Sequence, residues 1–97
     1  MARNTEFPSL SGIEFTILEL LVNNGEMFGL EMVEESEGEL KKGTIYVTLG
    51  RMLDKDLVIS KEERDDNTRK LYSPTDYGER VFKAQEIALK YLNMGGW

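Results

Sequence analysis

Apolar positions recur at helical spacing in four stretches of the chain and give way to β-branched residues in one. Phe7, Pro8, Ser9 and Leu10 read as an extended lead-in, after which Ser11-Gly12-Ile13-Glu14 has the S-x-x-E spacing of a capping box. The helix it starts carries Ile13, Ile17, Leu20 and Leu21 on one face, and Asn23-Asn24-Gly25 supplies its stop. Phe15, Leu18 and Val22 widen the apolar arc, which implies deep burial or contact with a second subunit. A short helix from Leu30 to about Glu37 follows, with Leu30 and Val33 inward, Leu40 just beyond it, and carboxylates outward. Gly38 and Gly43 bracket a turn, and Thr44 is placed to cap a helix over residues 44–55 that buries Ile45, Leu49, Met52 and Leu53. At 100° per residue the opposite face carries Thr44, Val47, Arg51 and Asp54.

Residues 57–63 contain Val58-Ile59 and pair naturally with 69–73 across Arg64-Asp65-Asp66-Asn67-Thr68, a run rich in turn formers. Pro74 closes that hairpin, and Asp76 with Glu79 has capping-box spacing at the head of a last helix that runs to about Asn93. This helix bears two apolar stripes, Val81, Ala84, Ala88 and Tyr91 in one and Phe82, Leu89 and Leu92 in the other. A domain this small cannot bury both, so a partner chain is the economical explanation. The fold class predicted is mainly α with a small β-hairpin: a winged helix-turn-helix over residues 1–75 and a C-terminal dimerisation helix and tail over 76–97, forming one compact domain.

Composition narrows the chemistry. At 97 residues a second folded core is excluded. The absence of cysteine and histidine removes disulfides, thiolate zinc sites, thiol nucleophiles and imidazole ligands, and no P-loop or G-x-S-x-G is present. The expectation is therefore a protein that is not an enzyme, with no cofactor and no metal. No stretch is apolar enough to span a bilayer and no secretory signal is evident, so the cytoplasm is the expected compartment.

Net charge is −6, but it is unevenly placed. Residues 1–39 hold nine carboxylates against Arg3 alone, whereas residues 40–97 carry a slight positive excess. Such a polar molecule is compatible with docking one face onto phosphate.

The runs Ile17-Leu18-Glu19-Leu20-Leu21, Met27-Phe28-Gly29-Leu30-Glu31-Met32, Lys42-Gly43-Thr44-Ile45-Tyr46-Val47-Thr48-Leu49-Gly50-Arg51-Met52-Leu53 and Arg69-Lys70-Leu71-Tyr72-Ser73-Pro74-Thr75-Asp76-Tyr77-Gly78 resemble the PadR family of transcriptional regulators over about residues 12–83. The G-T-I-Y-x-x-L-x-R segment is the most specific part, and the single short terminal helix resembles the small subtype. The chain departs from the family pattern at Val47, where proline is frequent, at Asp56, where glycine usually stands, and at Pro74, where an aliphatic residue is usual. The resemblance implies that residues 44–51 enter the major groove of duplex DNA.

Lys41, Lys42, Thr44, Tyr46, Val47, Thr48 and Arg51 form the candidate DNA face, with lysines and hydroxyls for phosphate and an arginine able to read guanine bidentately. No acidic residue lies between Leu40 and Leu53. Three cations on a solvated helix are unremarkable alone; the resemblance gives them weight. Tyr46 has a second reading, as a ring packed at the edge of the core. Arg64, Arg69 and Lys70 are candidate wing contacts, although Glu62, Glu63, Asp65 and Asp66 among them equally suit an ordinary charged turn.

Phe15, Leu18, Val81, Ala84, Ala88, Leu89, Tyr91 and Leu92 are the candidate dimer interface. Trp97 after Met94-Gly95-Gly96 is either a simple tail end or, with Phe15, Tyr91 and Met94, lines an apolar pocket for a small hydrophobic effector between subunits, as the resemblance implies. The acidic run Glu31, Glu34, Glu35, Glu37 and Glu39 is a solvated face or a protein-binding surface and lacks calcium-loop spacing. The function expected is a repressor that binds a pseudo-palindromic operator as a homodimer. The competing expectation is a winged-helix protein-interaction adaptor that uses the acidic surface.

Overall fold

The Ser11 and Glu14 pair forms the capping box its spacing predicts. Glu14 N donates to Ser11 Oγ at 3.1 Å and Ser11 N to Glu14 Oε1 at 3.0 Å, starting α1 (Gly12–Asn24). Gly25 ends it at φ 91°, a left-handed conformation that a side chain would strain, and its N–H closes on Leu21 O. The computed structural model describes residues 9–63 and 66–95, with the side chains of residues 63–69 and 92–95 outside that description. Its remaining elements are β1 (Met27–Phe28), α2 (Gly29–Glu35), α3 (Ile45–Asp54), β2 (Val58–Glu63), β3 (Asp66–Pro74) and α4 (Asp76–Gly95). Among the described residues, no helix is long and apolar enough to cross a membrane.

The inward face of α1 is rotated from the predicted one. Glu14, Ile17, Leu18 and Leu21 are buried, whereas Ile13 is exposed and Leu20 only half-buried. A carboxylate enters the inward row because Lys55 covers it, its Nζ lying 2.7 Å from Glu14 Oε2. Burial pushes the Glu14 carboxyl up, but hydrogen bonds from Lys55 and Ser11 outweigh it and hold the group below its ordinary value.

The second helix is also phased differently. Val33 is half-buried as expected, but Leu30 is exposed, and Gly29, Met32 and Ser36 face inward instead. Gly29 is the reason: a Cβ there would lie 2.7 Å from the Tyr46 ring, so α2 turns its glycine toward α3. The helix stops two residues before the predicted end because Glu37 (φ 54°) and Gly38 (φ 96°) are left-handed. Ser36 Oγ ties the exit together, donating to Val33 O and accepting from Leu40 N.

Met32, Leu40, Ile45, Leu49 and Met52 join Ile17, Leu18 and Leu21 in one core. Thr44 stands at the head of α3 but its side chain makes no capping bond, contrary to expectation; the turn closes instead by Ile45 N donating to Lys41 O. At the other end, Leu57 N donates to Met52 O and Asp56 N to Leu53 O around a left-handed Asp56 (φ 62°), the Schellman arrangement.

The hairpin carries a third strand that the sequence pattern does not reveal. The antiparallel order is β1-β3-β2, with Met27 opposite Tyr72 and Phe28 opposite Leu71. The β2–β3 register runs evenly from Val58–Pro74 to Glu62–Lys70 and shifts beyond it. β3 starts at Asp66, so the connection is shorter than the predicted five-residue tip.

Thr75, rather than Asp76, caps α4. Its Oγ1 accepts from Gly78 N at 2.8 Å and donates to Asp56 O at 2.6 Å, while its N–H donates to Leu57 O. A Cβ on Gly78 would overlap the Leu57 carbonyl, so the helix can dock on this turn only through glycine. Farther along, Phe82 stacks on Phe15 with ring centroids 4.8 Å apart, and Gln85 brackets the Leu10 backbone through two hydrogen bonds.

Candidate nucleic-acid interface

The buried row of α3 holds its opposite row outward. With Ile45, Leu49 and Met52 in the core, 100° per residue turns Val47, Gly50, Arg51 and Asp54 away from it. Lys41, Lys42, Thr44, Val47 and Arg51 are all exposed, Thr48 is half-buried, and Val47 keeps 58% of its surface open. Thr48 Oγ1 is engaged locally, donating to Thr44 O at 3.2 Å. Neither lysine nor Arg51 has a side-chain partner among the described residues; the ion pairs recorded there are Lys55–Glu14 and Lys61–Glu26. Tyr46 is half exposed with its ring against Gly29, so it braces α2 on α3 as the core-edge reading expects and leaves a rim beside the outer face.

Arg64 lies outside the described residues, as does the side chain of Arg69, while Lys70 is exposed on β3 opposite Glu62. The acidic residues of α2 face solvent; Glu31 also accepts from Phe28 N at 2.8 Å, and Glu39 accepts from Thr16 Oγ1. Glu26, Glu31, Glu34 and Glu35 border a shallow depression with Asn24 and Met27. No group of carboxylates among the described residues is arranged to hold a metal ion.

Two residues placed in the interface by sequence belong elsewhere. Leu18 and Val81 are fully buried in the subunit's own core, because the first turns of α4 lie against α1. Phe15 is half-buried on Phe82 and Ala84 is half-buried. Ala88, Leu89 and Tyr91 are exposed, Tyr91 at 72%, and the Leu92 side chain lies outside the described residues, as do Met94's and all of Trp97. Ile87, 61% exposed, extends this surface and escaped the stripe assignment. Its signal was available in the i, i+3, i+4, i+7 spacing of Ala84, Ile87, Ala88 and Tyr91. Past residue 86, α4 runs beyond the core, and each residue from 87 to 91 is exposed.

This architecture recurs in solved regulators. The PcaV transcriptional regulator from Streptomyces coelicolor, solved in complex with its natural ligand, superposes with a TM-score of 0.78 at 21% identity over 87% of this chain and 58% of its own. The present chain therefore spans little more than half of that protein. A MarR variant from E. coli bound to operator DNA gives 0.68 at 16% identity, covering 77% of this chain and 52% of that one. A PadR family regulator from Clostridium difficile R20291 gives 0.75 at 23% identity and matches 87% of this chain and 93% of its own. These likenesses establish the winged-helix fold. No curated relative matches in sequence. The model of the transcriptional regulator PadR-like family matches residues 17–84, from the middle of α1 to the middle of α4, and the chain belongs to that family.

Proposed function

We propose that the protein regulates transcription by binding duplex DNA as a homodimer, with α3 in the major groove. The observation that carries this is the outer face of α3. It is held outward by a buried row, flanked by Lys41, Lys42 and Arg51 without partners among the described residues, and free of carboxylates from Lys41 to Met52. Lys41 and Lys42 would hold phosphate at the entrance to the helix, and Arg51 would read a base edge one turn past Val47. The exposed carboxylates of α2 repel phosphate, so α2 contributes no backbone clamp and the orienting contacts fall to the 41–44 turn.

Dimerisation is supported by the bare second half of α4, whose Ile87, Ala88 and Tyr91 have no cover in one subunit. Two-fold symmetry then places the α3 helices on half-sites about 34 Å apart or a multiple of it. Occupancy of such an operator blocks the promoter beneath it, so repression in the cytoplasm is the expected outcome. A planar hydrophobic effector would enter between subunits beside Phe15 and Tyr91 and change the half-site spacing.

Fluorescence anisotropy against labelled DNA from upstream of the gene and a scrambled duplex, over a salt series, tests the proposal. Preference for the upstream duplex with a steep loss of affinity on adding salt supports it. Absence of binding to either duplex at low salt refutes it and favours an adaptor that works through the acidic surface.

A further inference from the structure

Two residues on the outer side of α3, exposed Val47 and half-buried Gly50, are not called for by the subunit's own core. Val47 is an aliphatic side chain 58% exposed on a helix whose other aliphatic residues are buried or half-buried. Gly50, its neighbour one turn on, lies in the middle of α3, where glycine is the least favourable residue after proline. Nothing in the packing requires it: a Cβ built there meets no atom within 4 Å outside its own helix backbone and chain neighbours, and its φ is not among the positive ones. Gly29 and Gly78 are different, since each is pressed against Tyr46 or the Leu57 carbonyl. A helix-interior glycine without an internal reason leaves the backbone bare for something outside the chain.

The neighbours say what that is. Lys41, Lys42 and Arg51 flank the spot, so the occupant is anionic at its edges, and Val47 requires an apolar group at its centre. In the major groove of DNA the apolar group is the thymine C5-methyl. We propose that Val47 and Gly50 read an A·T pair, Val47 by packing on the thymine methyl and Gly50 by letting the helix backbone come close enough for that contact. This rests on α3 being the groove-entering helix.

The test starts from a random duplex pool from which the full-length protein selects its preferred site. Gly50→Ala is expected to raise the melting temperature by a few degrees while weakening binding to the selected duplex roughly tenfold. Replacing one thymine of each selected half-site by deoxyuridine, which lacks only the methyl, is expected to weaken the wild type about fifteenfold, about fourfold for each of the two buried methyl groups lost. The same replacement leaves Val47→Ala unchanged. Gly50→Ala binding the selected duplex as the wild type does, or deoxyuridine affecting wild type and Val47→Ala equally, would overturn the inference while leaving α3 as the DNA-binding helix. Failure of the wild type to retain any duplex at low salt would overturn the reading of α3, and this inference with it.

Discussion

Lys55→Met should cost more stability than Glu14→Gln, although the two changes break the same ion pair. The Glu14 side chain is 8% exposed and the Lys55 side chain 52% exposed, with Nζ and Oε2 2.7 Å apart. Removing Lys55 leaves a carboxylate out of water with only its Ser11 contacts, whereas removing the charge of Glu14 leaves an ammonium that turns into solvent. An exposed pair is worth about 0.2–1 kcal/mol and breaking a buried one costs about 3–5 kcal/mol. This pair, half in water on one side, should sit at about 1–2 kcal/mol for Lys55→Met, with methionine keeping the stem's packing. Glu14→Gln still accepts from Ser11 N and should cost about 0.5–1 kcal/mol, chiefly the lost charge at the α1 N-terminus. The pH dependence separates the causes. Because the fold lowers the Glu14 pKa below 4.5, the stability it provides is present above that value and lost as pH falls through the folded pKa. The gap between wild type and Lys55→Met should therefore narrow between about pH 7 and about pH 3. Urea denaturation followed by far-UV circular dichroism, at fixed protomer concentration, measures this. An equal gap at both pH values, or Glu14→Gln as the costlier change, would refute the reasoning.

Gly78→Ala must push α4 off the Leu57 carbonyl, and the urea midpoint should fall by an amount corresponding to about 3 kcal/mol or more; a loss under about 1 kcal/mol would contradict the close approach. Asp56→Gly relieves a left-handed residue in the Schellman turn and should stabilise by about 0.5–1 kcal/mol in the same assay. Burial raises the Tyr72 pKa above 10, with Tyr46 adding to it, so this ring's contribution is intact below pH 10 and lost as pH rises through the folded pKa. Tyr72→Phe should accordingly lose less stability than wild type above pH 10. Ala88→Glu should yield monomers in light scattering, since it places a charge on the bare stripe of α4; an unchanged dimer mass would remove α4 from the interface.

Elements were legible where local chemistry decides them. Ser11 and Glu14 announce a helix start, and the 45-49-52 row announces the inward face of α3, because capping and periodicity depend on near neighbours. The phases of α1 and α2 were misread for a different reason. Glu14 counts as polar until Lys55, far away in sequence, covers it, and Gly29 counts as neutral until Tyr46 lies on it. The two-residue β1 has no pattern of its own and exists through Leu71 and Tyr72. Leu18 and Val81 show the same limit on the site. An apolar residue on a wide arc does not reveal whether its partner is in the same subunit, and here it is. The residues of the proposed DNA face could be grouped from sequence because they lie within one helix and the turn before it, although the freedom of Gly50 from contacts outside its own helix needed coordinates.

The central claim is that α3 reads sequence while the 41–42 turn holds phosphate. It is tested most directly by the affinities of wild type, Arg51→Ala and Lys42→Ala for a preferred and a scrambled duplex over a salt series. Arg51→Ala should lose about 1–3 kcal/mol on the preferred duplex and little on the scrambled one, so that discrimination falls. Lys42→Ala should weaken both about equally and reduce the salt slope by about one. An equal loss of discrimination in both variants, or no change in either, would contradict the account.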